Sequence, residues 1–286
     1  MSSPPLPPDG HTHTQWSWDA TSGSMEGSCA RAVELGLPAI AFTEHVDAVR
    51  WAVPPTSRDA MRGRGLRPDD HGRFEPPPLD VEGYLDTVER CRHRFPTLRI
   101  VTGAEIGEPH WFPTETRALL ERGDFERVLG SVHSLTHEGR TWATDDLLGS
   151  AAPRGLGPHD VVRRYLAETL DMVARDTTVA VLAHIDFPFR HWPSAAGEVS
   201  VTDFEEEFRA VLRELAASGR ALEVNTRVPL DAEVVRWWTQ EGGTAVTFGS
   251  DAHEPPSVGA GFPEAAAMVE AHGVGPGAHA HEAWVR

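Results

Sequence analysis

Helix-length amphipathic stretches and strand-length apolar runs alternate along this chain, and no other feature limits its fold so tightly. "SCARAVELGL" (28–37) has apolar residues at helical spacing and leads into "PAIAFTEH" (38–45), a β-like run. The pairing recurs as 80–95 before 98–105, 114–123 before 127–133, and 160–176 before 179–186. It continues as 203–219 before 221–226 and 231–242 before 245–251, and a last helical stretch, 263–273, closes the series. With a first strand ending at His11–His13, about seven βα units result. Each crossover helix returns the chain in the same direction, so the pattern predicts an α/β fold with a parallel sheet and helices outside it. Gly36, Gly123, Gly219, Gly242 and Gly273 stand where helices need a C-cap. Two stretches break the rhythm: 46–79, rich in Pro, Arg and Gly, and 137–158, rich in Gly and Pro. Both follow strands and are predicted as long loops over one face of a single domain, 1–286, where a substrate lid would lie.

The strands end in a recurring chemistry. Their last residues are His11 and His13, His45, Glu105, His133, His184, Asn225, and Asp251 with His253. In a closed βα barrel all these ends lie on one face, the face where active sites are built. The first and last strands are neighbours there, so His11, His13, Asp251 and His253 can share a site. Alternate strand residues point to one side, which brings the two histidines of "HTH" together. A single histidine after a strand is more often a hydrogen-bonded structural residue than a ligand. Six strand ends carrying His, Glu or Asp point instead to a multinuclear metal centre. Imidazole and carboxylate without thiolate suit Zn, Mn or Fe. The donor set is too large for one tetrahedral ion, so two or three divalent ions are expected, with Glu105 bridging a pair. His71, His93, His159, His272, His279 and His281 fall in loops, helices or the tail and are read as solvated.

Composition excludes several classes. The net charge of -17 argues against a nucleic-acid backbone as the main partner, because that needs clustered cations. Only two cysteines occur, Cys29 and Cys91, each in a helical stretch, which suits a reducing cytoplasm rather than a disulfide framework. "MSSPPLPPDG" has neither a basic start nor an apolar core, and no apolar run approaches the ~18 residues of a membrane span. A soluble, cytoplasmic protein is expected; the pattern carries no signal for an oligomeric state.

Taken in order, "DGHTHTQWSWDA", "TEH" (43–45), "GAEIG" (103–107), "GSVH" (130–133), "AHID" (183–186), "EVNT" (223–226) and "GSDAH" (249–253) resemble the successive motifs of the polymerase-and-histidinol-phosphatase (PHP) superfamily. The detail is most similar to its histidinol-phosphate phosphatase branch. The resemblance implies a distorted (β/α)7 barrel with a trinuclear metal centre at the C-terminal ends of the strands. It implies that His11, His13, Asp251 and Glu105 hold one ion and that His133 and His184 share Glu105 on a second. Asp19, His45 and His253 would hold the third. A bridging hydroxide positioned by Glu105 would attack a phosphate ester. Arg190, in "AHIDFPFRHWP", is similar in placement to the basic residue that holds the phosphate in relatives; the chain contains no lysine, so that residue must be an arginine. His191 beside it is left without a role, and Asn225, at the end of a barrel strand, is a candidate for touching substrate or for satisfying a loop. The implied activity is metal-dependent hydrolysis of a small-molecule phosphate ester, L-histidinol phosphate above all. Nucleotides or other metabolites are the alternative, and a non-catalytic metal-binding barrel is the least favoured.

Overall fold

In the computed structural model, which describes residues 6–149 and 155–286, the chain opens with β1 (Asp9–Thr12), α1 (Met25–Leu35) and β2 (Ala39–Asp47). The first excursion follows, with β3 (Trp51–Ala52), α2 (Arg58–Gly63) and β4 (Arg73–Phe74). The βα rhythm resumes with α3 (Val81–Arg94), β5 (Arg99–Gly107), α4 (Pro113–Leu120) and β6 (Arg127–Ser131). A hairpin of β7 (Ser134–His137) and β8 (Arg140–Ala143) leads to α5 (Thr144–Leu148). After it come α6 (Pro158–Arg175), the short β9 (Val181–Leu182) and a 3-10 helix, Phe187–His191. The chain ends with α7 (Glu205–Ala217), β10 (Ala221–Asn225), α8 (Ala232–Gln240), β11 (Ala245–Gly249), α9 (Phe262–Ala271) and β12 (Trp284–Val285).

Seven of these strands run parallel in the order β1-β2-β5-β6-β9-β10-β11, and β12 adds antiparallel to β11. The sheet curls shut. Thr12 bridges Ala252, His13 N donates to Ala252 O at 2.8 Å, and Asp251 N donates to His11 O at 2.8 Å. The expected distorted barrel is therefore present, and its seam joins the two ends of the chain.

Alternation within the strands explains which residues reach the inside. On β10, Leu222 and Val224 pack into the layer between sheet and helices, while Ala221, Glu223 and Asn225 point inward. The inner apolar plug is small, built from Leu129, Val181, Ala183 and Ala221, and the rest of the lumen is polar. Trp237 and Trp238 on α8 are both fully buried and serve packing. Four of the five predicted cap glycines adopt left-handed backbone: Gly36, Gly219, Gly242 and Gly273. Gly123 does not, because α4 stops at Leu120. An added Cβ at Gly123 would stand 2.9 Å from Leu85, so close packing is what selects glycine there.

The first excursion has its own apolar cluster of Val49, Trp51, Val53, Leu66 and Phe74, joined by Trp18, Met61 and Trp111. The second begins at Ser134, three residues earlier than the sequence suggested, and its part at 150–154 lies outside the described residues. Two side-chain bonds tie the excursions together: Trp51 Nε1 donates to Ser134 Oγ (2.8 Å), and Ser57 Oγ to Asp146 Oδ1 (3.1 Å). Among the described residues no helix is long and apolar enough to cross a membrane.

Candidate metal centre

The nine residues expected as ligands meet at the C-terminal mouth of the barrel, around Glu105. Its carboxylate is fully buried at the end of β5. Glu105 Oε2 lies 3.2 Å from His11 Nε2, 3.4 Å from His13 Nε2 and 3.0 Å from His45 Nδ1. Oε1 lies 3.2 Å from His133 Nε2 and 2.7 Å from His184 Nε2. Asp251 Oδ1 is 3.4 Å from His13 Nε2, and Asp19 Oδ2 stands 3.1 Å from His253 Nε2 and 3.6 Å from His45 Nε2. Four overlapping trios have ligand atoms within 4.8 Å of one another: His11/His13/Glu105, His45/Glu105/His133, His13/His45/His253 and His11/His184/Asp251. Asp19 is thus a partner of His45 and His253. It does not cap α1, whose N-cap is Ser24.

The outward-facing nitrogens explain what the inner ones are for. His11 Nδ1 is 2.6 Å from Glu223 Oε1, and His133 Nδ1 is 2.9 Å from Asp47 Oδ1. Each carboxylate accepts from Nδ1, so whenever the ring is neutral Nδ1 carries the proton and Nε2, facing Glu105, keeps its lone pair. His13 follows the same rule through a hydroxyl. Ser17 Oγ donates to Glu44 Oε2 at 2.5 Å, so it accepts from His13 Nδ1 at 3.1 Å. In the neutral rings, His11 Nε2 and His13 Nε2 therefore face one another, lone pair to lone pair, at 3.0 Å. Glu105 Oε2 sits among three imidazoles at contact distance and still lacks a hydrogen-bond partner. Lone pairs and carboxylates converging in this way are the donor set of bound cations. The residues present fit divalent ions, and the outer carboxylates fix tautomers as acceptors do around bound metals.

Carboxylates and imidazoles of the centre shift one another strongly: Glu105 and its neighbours raise His11 and His133 well above the ordinary imidazole range despite burial. Burial alone would raise the Glu105 carboxyl, but His11, His45 and His133 pull it well below its ordinary range. For Asp251 burial is outweighed by the Arg190 guanidinium and His11, again holding the carboxylate ionised. Burial opposes charge on His45, yet Asp19 and Glu105 bring it up to about 9. Glu108 behaves oppositely: burial pushes it up to about 8, although it accepts from the backbone N–H groups of His133 (2.5 Å) and Ser134 (2.7 Å). Glu108 (φ 45°) and Asp251 (φ 52°) both take left-handed backbone, a local strain held by the surrounding bonds.

A cavity of about 900 Å³ opens over this centre. His45, His133, His184, Asp251 and His253 line its floor, and Trp18, Trp51, Phe74 and Phe187 line its walls. Arg190 reaches the floor, with Nη1 bonded to Asp251 Oδ2 at 2.5 Å; its Nε and Nη2 are buried without partners. Asn225 ends β10 as expected. It is fully buried, its Nδ2 donating to Glu223 and its Oδ1 accepting from Arg227 N, so its polar atoms are engaged inside the wall. Of the excursion's arginines, Arg64 lines the cavity and donates to Asp19 O, while Arg50, Arg62 and Arg73 pair with Glu75, Asp59 and Asp69.

Sequence reasoning missed Glu223, Asp47 and Arg227. Arg227 Nη1 lies 2.9 Å from His253 Nδ1 and 3.1 Å from Asp251 O, and the residue lines the cavity. The signal was the period of two: Glu223 and Arg227 flank the flagged Asn225 at two residues' distance, and Asp47 stands two after His45.

Comparison with known proteins points to the same fold. The chain is similar to a probable histidinol-phosphatase of Clostridium acetobutylicum, 24% identical over 270 residues and 92% of each chain. It is 23% identical over 257 residues to the histidinol-phosphatase of Lactococcus lactis, covering 86% of this chain and 83% of that one. Its fold matches a crystal structure of histidinol phosphate phosphatase from Lactococcus lactis complexed with zinc, L-histidinol and phosphate. The TM-score is 0.74 at 21% identity, over 94% of this chain and 95% of the other. The PHP domain family model matches residues 9–227, from the first residue of β1 to Arg227 at the cavity, and by that match the chain belongs to the PHP domain family.

Proposed function

We propose that this chain is a metal-dependent phosphomonoesterase that hydrolyses L-histidinol phosphate to L-histidinol and phosphate. The observation that carries the reading is the juxtaposition of two complementary features in one cavity: Glu105 ringed by five imidazoles, and Arg190 with two unpartnered N–H edges. The similarity to histidinol-phosphatases over most of the chain supports the choice of substrate.

His11, His13, Asp251 and Glu105 would hold one ion, His133 and His184 with Glu105 a second, and Asp19, His45 and His253 a third. Zn, Mn or Fe would suit these donors. Bound divalent ions would neutralise the phosphoryl oxygens and lower the pKa of a water. The chain's own groups do the rest. Arg190 keeps Nη1 on Asp251, which fixes the plane of its guanidinium, and presents Nε and Nη2 to two phosphoryl oxygens as a fork. Arg227 adds a second guanidinium from the cavity lining. Glu223, Asp47 and Ser17 hold their imidazoles in the tautomer that points Nε2 inward. The aromatic walls exclude water, which strengthens every charge interaction on the floor. The cavity lies within the ~300–1,000 Å³ range usual for small ligands.

The test is phosphate release by Mn- and Zn-loaded protein from L-histidinol phosphate, beside a panel of nucleotide and sugar phosphates. The expected kcat/KM for histidinol phosphate exceeds the panel by about a hundredfold, or ~3 kcal/mol of transition-state discrimination. Even rates across the panel would reject this substrate, and no release from any ester would reject the chemistry.

A further inference from the structure

His191 ends the 3-10 helix that carries Arg190, and it lines the same cavity as the histidines of the metal centre. Its ring stands one layer further out. The Phe187 ring lies 5.1 Å from that of buried His184 and 5.3 Å from that of His191, which is exposed. Helix α5 packs against the same 3-10 helix and brings Asp145 close to the imidazole. The charged groups facing His191 are thus Asp145 from α5, Arg190 from its own helix and Arg227 from the loop after β10.

A phosphoryl group held by Arg190 on the floor directs its ester oxygen outward, because the inner side is occupied by the histidines around Glu105. The alcohol then lies in the layer walled by Asp145 and His191. An alkoxide is a poor leaving group at neutral pH, and His191 is an imidazole on the lining of that layer. Resting on the phosphatase reading above, we propose that His191 donates the proton to the leaving alcohol, with Asp145 as the positioning residue beside it. In the step, a water oxygen forms a new bond to phosphorus while the bond from phosphorus to the alcohol oxygen breaks. The His191 N–H proton passes to that oxygen, so the alcohol leaves neutral. The proton lost by the attacking water goes to solvent, and solvent reprotonates His191.

The surroundings couple protonation to substrate. In the free protein, burial and then the Arg190 and Arg227 guanidinia hold the imidazole below its ordinary pKa, against Asp145. A phosphate dianion between the two arginines offsets their charge, so the ring takes up its proton as substrate arrives.

The experiment compares wild type, His191→Gln and Asp145→Asn on L-histidinol phosphate and on p-nitrophenyl phosphate, whose phenolate leaves without protonation. His191→Gln is expected to lower kcat on histidinol phosphate by about a hundredfold or more. On the aryl ester it should stay within about threefold, with metal content unchanged by elemental analysis. The variant should also lose the fall of kcat at alkaline pH, and Asp145→Asn should move that fall to lower pH. Equal loss on both esters, or retention on both, overturns the inference while leaving the phosphatase reading intact. A wild-type protein inactive on both esters removes the phosphatase reading, and this inference with it.

Discussion

Glu223 and His11 stand on strands at opposite ends of the chain, yet a carboxylate oxygen of one lies 2.6 Å from Nδ1 of the other. The second oxygen of Glu223 accepts from His184 N at 2.7 Å and from Asn225 Nδ2 at 3.1 Å. One side chain thereby joins β1, β10 and the end of β9, and fixes two histidines of the centre. Glu223→Gln keeps the shape and removes the charge that holds the His11 tautomer. A 10–100-fold loss of divalent-metal affinity is expected, with far-UV circular dichroism unchanged. Competition with a chromophoric chelator measures it, and unaltered affinity would show that Glu223 only packs.

Two glycines make room for these outer carboxylates. A Cβ on Gly249 would lie 2.1 Å from Glu223 Oε1 and 2.6 Å from His11 Cβ; one on Gly107 would lie 2.2 Å from Asp47 Oδ1. Gly249→Ala and Gly107→Ala should each destabilise the fold by about 1–3 kcal/mol and weaken metal binding together with it. Gly63, in α2 with open space around it, is the control: Gly63→Ala should be neutral or stabilise by up to ~1 kcal/mol. Urea unfolding of the three variants decides it.

Glu105→Gln leaves one carbonyl oxygen where two charged oxygens met five imidazoles. Loss of more than one ion per chain is expected by elemental analysis, with activity down at least about a hundredfold. Loss of a single ion would mean that Glu105 serves one group of histidines and does not bridge.

Much of this centre was legible because its chemistry is written at strand ends, where a polar residue after an apolar run is conspicuous. His11, His45, Glu105, His133, His184 and Asp251 all declare themselves that way. The residues that hold them were harder to see. Glu223 lies inside a strand, where a lone carboxylate reads as an error of pattern until its partner, His11, is known to be adjacent. That adjacency depends on the closure of the barrel between β1 and the end of β11, a long-range contact that no local pattern encodes. Asn225 shows what position alone leaves open: a strand end fixes which face a residue occupies, but not whether its amide is already satisfied by neighbours.

Arg190 offers a direct test of phosphate binding. Its side chain is only 7% exposed, and its buried Nε and Nη2 have no hydrogen-bond partner. Arg190→Ala is expected to lower kcat/KM by about a hundredfold and to weaken inhibition by inorganic phosphate in parallel. Arg190→Lys should recover little, since an ammonium supplies a point charge and not a planar fork. Full recovery by lysine would mean that charge alone is used there.

Asp146 gives a pH prediction away from the metal residues. Burial, helped by the neighbouring Asp145, pushes its carboxyl from 3.8 up to about 6, and it accepts from Ser57 across the two excursions. Below about pH 4 the carboxyl is neutral in both folded and unfolded chains, so it makes no difference to stability there. Between about pH 4 and 6 the unfolded chain ionises while the folded one keeps its proton, and stability falls as pH rises. Above about pH 6 both are ionised and the loss is complete. Asn cannot ionise but can still accept from Ser57. Asp146→Asn should therefore match wild type near pH 4 and exceed it by about 1 kcal/mol at pH 7, a figure reduced for the partial exposure of the side chain. Urea unfolding of the metal-free proteins at several pH values measures the gap. Parallel curves would mean that Asp146 meets water freely and that the two excursions are held together by Trp51 and its apolar neighbours alone.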